Sequence, residues 1–257
     1  MRIDRRTWLK LAAGAGVLAT TGAGMAQSAL PADVGRKFAR DGTVLPFAGN
    51  TVLCHLPQHG ADAEPFRALM DLYRVLPVQA FAARFVPLPS HSLHMTVFGG
   101  ANDQDRVGTN WPAGVPRTLS IEQCTRLLTE RLAHFDSELT MPITMVVDPM
   151  EGMAGDERLT IYLRPSDDGQ KARLADVRNR LSALLGIRNA SHDSYQFHIT
   201  LAYRTQPMSQ DEAQAFKGFR TQWHRTMAQR CPEIRLGPLE FCAFADMFHF
   251  DRRLFLN

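Results

Sequence analysis

Apolar and polar residues alternate through several short runs of this chain and follow a three-to-four spacing through several longer ones. A period of two marks a half-buried strand, and a period near 3.6 marks an amphipathic helix. On that basis strands are predicted over 50–56, 81–87, 143–148 and 159–163, and helices over 64–76, 119–135, 170–185 and 210–229. In the first helix Phe66, Leu69, Met70, Tyr73 and Leu76 fall close to one face, and in the last Phe216, Phe219, Trp223 and Met227 form an apolar stripe that reads most simply as core. Ser120 with Gln123 three residues on is a capping signal for the second helix, and Gly186 a stop for the third. Residues 102–116, polar with glycines and two prolines, read as a long loop, and strands over 239–244 and 248–255 close the chain.

Two further strand-like runs resemble each other. Ser92-Leu93-His94-Met95-Thr96-Val97-Phe98 and Gln196-Phe197-His198-Ile199-Thr200-Leu201-Ala202 each contain a His-x-Thr-x step. Residues two apart on a strand share a face, so each run presents an imidazole beside a hydroxyl while its apolar residues point the other way. Set side by side, two such strands would surround one small anion with two histidines and two threonines, an arrangement suited to acid–base work. The bare spacing is not rare here: His192 and His224 are also followed two residues later by Ser or Thr. His192 lies in a polar, turn-like stretch and His224 in a helical pattern, where i and i+2 do not share a face. Only His94 and His198 sit in strand-like apolar surroundings.

The order strand, helix, His-x-Thr strand, helix occurs twice. This predicts an α+β protein of two similar, pseudo-symmetric lobes, with antiparallel sheets lining a central cleft and helices on the outer faces. The two motif strands would meet across the cleft. Residues 29–257 are read as one bilobal domain.

Residues 1–28 are set apart from that domain. Asp4-Arg5-Arg6-Thr7-Trp8-Leu9-Lys10 is a twin-arginine signature, followed by a weakly apolar Gly/Ala-rich run and small residues near Ala26 that suit cleavage. The expectation is export of the folded chain by the twin-arginine translocase to the periplasm or beyond. This segment also holds Arg2, Arg5, Arg6 and Lys10 against Asp4, so the formal net charge of +3 belongs largely to it and the remainder is balanced. Affinity for long nucleic acids grows with the phosphates neutralised, and no basic stripe follows. A small nucleotide or short oligonucleotide fits better, bound by a monomer. Cys54, Cys124, Cys231 and Cys242 show no CxxC or metal spacing. Cys54 and Cys242 lie in apolar strand-like runs, where a buried free thiol is the common state.

The paired motifs His94-Met95-Thr96-Val97 and His198-Ile199-Thr200-Leu201, in a duplicated α+β chain, resemble the 2H phosphoesterase superfamily, which includes RNA 2′,3′-cyclic phosphodiesterases and 2′-5′ RNA ligase-like proteins. The wider wording, with Gly49-Asn50-Thr51-Val52 upstream and Trp111-Pro112 between the motifs, resembles a bacterial branch of unknown function across roughly residues 45–255. The resemblance implies a phosphoric diester hydrolase with a cyclic phosphate or short oligonucleotide as substrate. It implies His94 and His198 as a general base and acid, and Thr96 and Thr200 as hydroxyl donors to the phosphate oxygens, with no metal or cofactor.

Weaker candidates surround this set. Phe98 shares the predicted face of His94 and Thr96 and would stack on a base. Tyr162 lies on the polar face of its strand, and Tyr195 reaches the cleft only if the second motif strand begins after it. Two other readings stand beside the enzyme: a non-catalytic nucleotide-binding protein, and a metal-dependent hydrolase with zinc drawn from His91, His94, His192 and His198, which lack a Cys or acidic partner at ligand spacing.

Overall fold

A computed structural model of the chain describes residues 30–149 and 158–256. The predicted twin-arginine segment lies outside the described residues. Nine strands are present: β1 (Gly49–His55), β2 (Phe85–Pro87), β3 (His94–Asn102), β4 (Ile143–Val147), β5 (Arg158–Pro165), β6 (His198–Arg204), β7 (Ile234–Leu236), β8 (Leu239–Phe244) and β9 (Asp251–Leu256). Four α-helices accompany them: α1 (Glu64–Val75), α2 (Ile121–Leu132), α3 (Asp168–Leu185) and α4 (Gln210–Arg230). No helix among the described residues is long and apolar enough to cross a membrane.

The strands form one antiparallel sheet in the order β7-β4-β5-β6-β3-β1-β8-β9, with β2 paired to β6. The expected α+β architecture is therefore observed, with the sheets of the two halves joined at the central pair β3–β6. Each half brings its His-x-Thr strand to that seam. Met95 is paired with Ile199, and both are fully buried. Antiparallel register about this pair sets His94 across from Thr200 and Thr96 across from His198, all on the face opposite Met95 and Ile199.

One face of the sheet carries the main core. Met95, Val97, Ile161 and Ile199 pack there against Leu69 and Leu72 of α1, Leu128 of α2, Leu181 of α3, and Phe216 and Met227 of α4. At two helix ends the predicted signals are observed, the Ser120 cap and the Gly186 stop, and two further caps appear. Ser120 and Gln123 form a capping box on α2, Ser209 and Glu212 form another on α4, and the Asp167 carboxylate accepts from the Gln170 amide at the start of α3. Gly186 closes α3 at φ 66°, where a Cβ would also strike Ala113 at 2.8 Å. The other face carries a smaller cluster of Phe38, Phe47, Leu53, Leu88, Tyr203, Cys242, Met247 and Phe250, built partly from the segment before β1.

Three local readings change. The run over 81–87 is a strand only at Phe85–Pro87, because Ala82–Arg84 forms a turn of 3-10 helix that buries Phe81. Strand β7 is too short to show a period. In β3, the pairings Leu53↔Thr96 and Val52↔Phe98 leave Val97 as an extra residue, a β-bulge. Strict alternation fails beyond Thr96, and Phe98 turns into the main core, 2% exposed.

Candidate active site

The central strand pair opens onto a cavity of about 280 Å³. His94, Thr96, His198, Thr200 and Tyr195 line it, with Lys37 and Arg158 as cationic wall residues, and Phe47, Tyr203, Phe244 and Phe250 as aromatic ones. No carboxylate is among its described walls. A larger hollow of about 500 Å³ between α2 and the β8–β9 hairpin carries none of the motif residues.

The two histidines are anchored alike. His94 Nδ1 lies 2.6 Å from the Ser92 carbonyl, and His198 Nδ1 lies 2.8 Å from the Gln196 carbonyl. A carbonyl oxygen only accepts, so each Nδ1 carries the proton and each ring is held by the backbone two residues upstream. Nε2 is then the atom that exchanges a proton on both rings: a lone pair when neutral, a donor when protonated.

Their surroundings differ. The His94 ring packs edge-on against Phe250 at 4.3 Å and near His55 at 6.2 Å. Burial pushes its pKa down to about 4, the nearby His55 and His198 adding to the fall, while the bond to Ser92 and the charge of Glu240 oppose it. His94 is therefore a neutral imidazole at neutral pH. His198 is flanked instead by two tyrosines, Tyr162 at 6.1 Å and Tyr195 at 6.0 Å between ring centroids.

Of the seven predicted site residues, five line the cavity. Phe98 does not: the bulge at Val97 sends it into the core, where it meets His192 edge-on at 5.9 Å. Tyr162 stands across the ladder from His198 but packs between that ring and His224 of α4, 6.0 Å away, and so flanks the histidine without walling the cavity. Tyr195 does reach the cavity, because β6 begins only at His198 and the residues before it are free of strand alternation. It lines the same cavity as Thr96.

The four histidines considered for zinc do not come together: only His94 and His198 line the cavity. His91 pairs with His249, and His192 is tied to Asn179 at 3.1 Å, away from the cavity histidines. Among the described residues, the set that brings ligand atoms together is His55, Glu240 and Cys242, all within 4.8 Å of one another. In that set the Glu240 carboxylate already accepts from His55 Nδ1 at 3.1 Å and lies 3.5 Å from Arg252. The four cysteines are free and buried.

Several site residues had no local signal. Lys37 precedes the first predicted element; its ammonium is paired with Asp33 at 3.1 Å and lies over the Tyr203 ring at 5.0 Å. Arg178 did have one: it falls on the same stripe of α3 as Leu174, Leu181 and Leu185, an arginine at a core position. The upstream Gly49-Asn50-Thr51 is structural. Asn50 donates to Thr125 and accepts from the Ala101 amide, and Thr51 donates to the Phe98 carbonyl beside the bulge. Gly100 must be glycine, since a Cβ there would lie 2.1 Å from Asn50 Oδ1.

A family model labelled 2H-phosphodiest and described as a domain of unknown function (DUF1868) matches residues 37–155, which include the first motif. Among solved structures, the fold is similar to that of the conserved protein of unknown function ATU0111 from Agrobacterium tumefaciens str. C58, with 25% identity, a TM-score of 0.79, and coverage of 89% of this chain and 94% of that one. Escherichia coli LigT in its apo form aligns at 15% identity and a TM-score of 0.41 over 83% of this chain and 99% of that one. The Thermus thermophilus protein TT0787 aligns at 17% identity and 0.35 over 76% and 86%. No curated protein matches the chain significantly.

Proposed function

We propose that this chain is a phosphoric diester hydrolase that opens a cyclic phosphate of the 2′,3′ type or cleaves a short oligonucleotide diester. One observation carries the reading: two imidazoles, each anchored through Nδ1 to the backbone, share a cavity face with two threonine hydroxyls. Diester hydrolysis needs one proton taken from water and one delivered to the leaving oxygen. His94, neutral because of its burial, serves as the base through Nε2. His198, the second ring on the same face, serves as the acid. Thr96 and Thr200 donate to the non-bridging oxygens, and Arg158 adds positive potential to walls that carry no described carboxylate, the Lys37 ammonium being paired with Asp33.

The two imidazoles account for both proton transfers, so the scheme calls for no metal. The cavity is close to the lower end of small-ligand sites, about 300 Å³, which favours a mononucleotide or a short end over a polymer. On this reading the twin-arginine segment delivers the folded, monomeric enzyme to the periplasm or outside the cell.

The test is a panel of 2′,3′-cyclic nucleotides and short 2′-5′ and 3′-5′ dinucleotides, offered to the purified protein in excess chelator. Turnover that His94→Ala and His198→Ala each abolish supports the proposal. Tight nucleotide binding without turnover across the panel points to a binding protein, and loss of activity on chelation to a metal-dependent hydrolase; either result overturns it.

A further inference from the structure

Arg178 is a long cationic side chain placed almost wholly inside the protein, 5% exposed. It leaves the core stripe of α3 and reaches the seam between the motif strands. One guanidinium nitrogen donates to the carbonyl of Val97, the bulge residue of the first motif. The other donates to the carbonyl of His192 at 2.7 Å, in the loop leading to the second motif. The plane of the group lies over the Tyr195 ring, 4.4 Å from its centroid. Among the described residues no carboxylate is hydrogen-bonded to it; the charge of Asp193 acts on it, and that carboxylate is already paired with Arg188 at 2.5 Å.

Holding an arginine there is costly, because a desolvated cation needs compensation. Two carbonyls and an aromatic face supply part of it. Simple packing of α3 would be met by a leucine at this position, as at Leu174 and Leu181. The arginine is aimed at Tyr195, the residue that joins the loop to the cavity.

We propose that Arg178 is a positioning residue that locks and polarises Tyr195, so that its phenol presents one strengthened hydrogen-bond donor to the substrate's anionic group. A fixed cation over the ring favours charge on the phenol oxygen and makes its hydroxyl the better donor. Burial pushes the Tyr195 phenol up to about 12, and Arg178 opposes that rise more than any other group does. Tyr195 is thus the group that faces the ligand, and Arg178 acts through it. The bulge contributes as well: it turns the Val97 carbonyl to where the guanidinium binds it.

The inference rests on the anion-binding part of the proposed function and does not need turnover. The probe is inorganic phosphate, titrated calorimetrically into the full chain and into Tyr195→Phe, Arg178→Gln, Arg178→Lys and the Tyr195→Phe/Arg178→Gln double variant. Loss of one hydrogen bond to a charged group predicts about tenfold weaker phosphate binding in Tyr195→Phe. Arg178→Gln should weaken binding by a similar or smaller factor, and Arg178→Lys, which keeps the charge, should recover part of it. The double variant should bind no worse than Tyr195→Phe alone. Losses that multiply in the double variant, or unchanged binding in Arg178→Gln, would overturn the proposal.

A measurement on the unmutated chain guards against Arg178 variants that do not fold. With 13C-labelled tyrosine, saturating phosphate must shift the Tyr195 ring signal, identified by its loss in Tyr195→Phe; a signal that stays still rejects the proposal. Phosphate bound as described but no diester cleaved would sink the enzyme reading and leave this inference standing. No phosphate binding at all would sink both.

Discussion

The two His-x-Thr strands are near twins in sequence and unequal in structure. Both anchor Nδ1 on the carbonyl two residues back, and both set histidine and threonine on one face. The first is interrupted by a bulge directly after its threonine, and its histidine is enclosed by Phe250 and neighboured by His55 and Glu240. The second carries the equivalent bulge, the pairings Leu159↔Ala202 and Thr160↔Thr200 leaving Leu201 as the extra residue, but its histidine stands between two tyrosines. A duplicated backbone therefore carries different surroundings on its two sides. Acid–base catalysis uses one neutral and one protonated ring, and unequal surroundings help to fix which ring takes which role.

The comparison is broken most severely by removing either ring. His94→Ala or His198→Ala should lower kcat by about 10²–10⁴-fold, read as initial rates on the best diester of the panel. His91→Ala, at an exposed residue beside His249, should leave the rate unchanged. The next effect comes from the hydroxyls. Thr96→Val and Thr200→Val should each reduce kcat by about 10²-fold, with less change in KM, because the donors act most strongly as charge develops.

The inequality itself can be read from pH. The free-enzyme profile of kcat/KM should keep its base-side activity down to about pH 4, where His94 takes up a proton, and lose it below. Stability should follow a linked course. In the unfolded chain His94 binds a proton near 6.5, but in the folded chain only near 4, so acid favours unfolding as pH falls through that window. His192 and His224 are also lowered, chiefly by burial, and act in the same direction. Melting temperature should drop as pH is lowered from neutrality, and His94→Gln should flatten part of that drop.

The smallest effect concerns the bulge. Phe98→Leu should cost about 1 kcal/mol of stability in a denaturant titration and leave KM unchanged, because Phe98 is core and does not touch the cavity. A raised KM with unchanged stability would instead return Phe98 to the substrate.

Much of this was legible in the chain. Period-two alternation located both motif strands, and Ser120 with Gln123 and Gly186 match the observed ends of α2 and α3, because those signals act within a few residues. Phe98 was misplaced because a one-residue bulge reverses every later face, and a bulge is set by register with the neighbouring strand. Tyr195 fell on the right side for the complementary reason, that its segment is loop and owes nothing to alternation. Lys37, His55 with Glu240, and Arg178 come to the site from distant parts of the chain through sheet pairing and helix packing. Only Arg178 left a trace, as a charge on an apolar stripe.

The central claim is the division of labour between His94 and His198, and its most direct test is an NMR titration of the imidazole C2–H signals, identified by the single-histidine variants. The account predicts that the His94 signal stays that of a neutral ring until about pH 4. Two histidines titrating together near the ordinary value of 6.5 would contradict it.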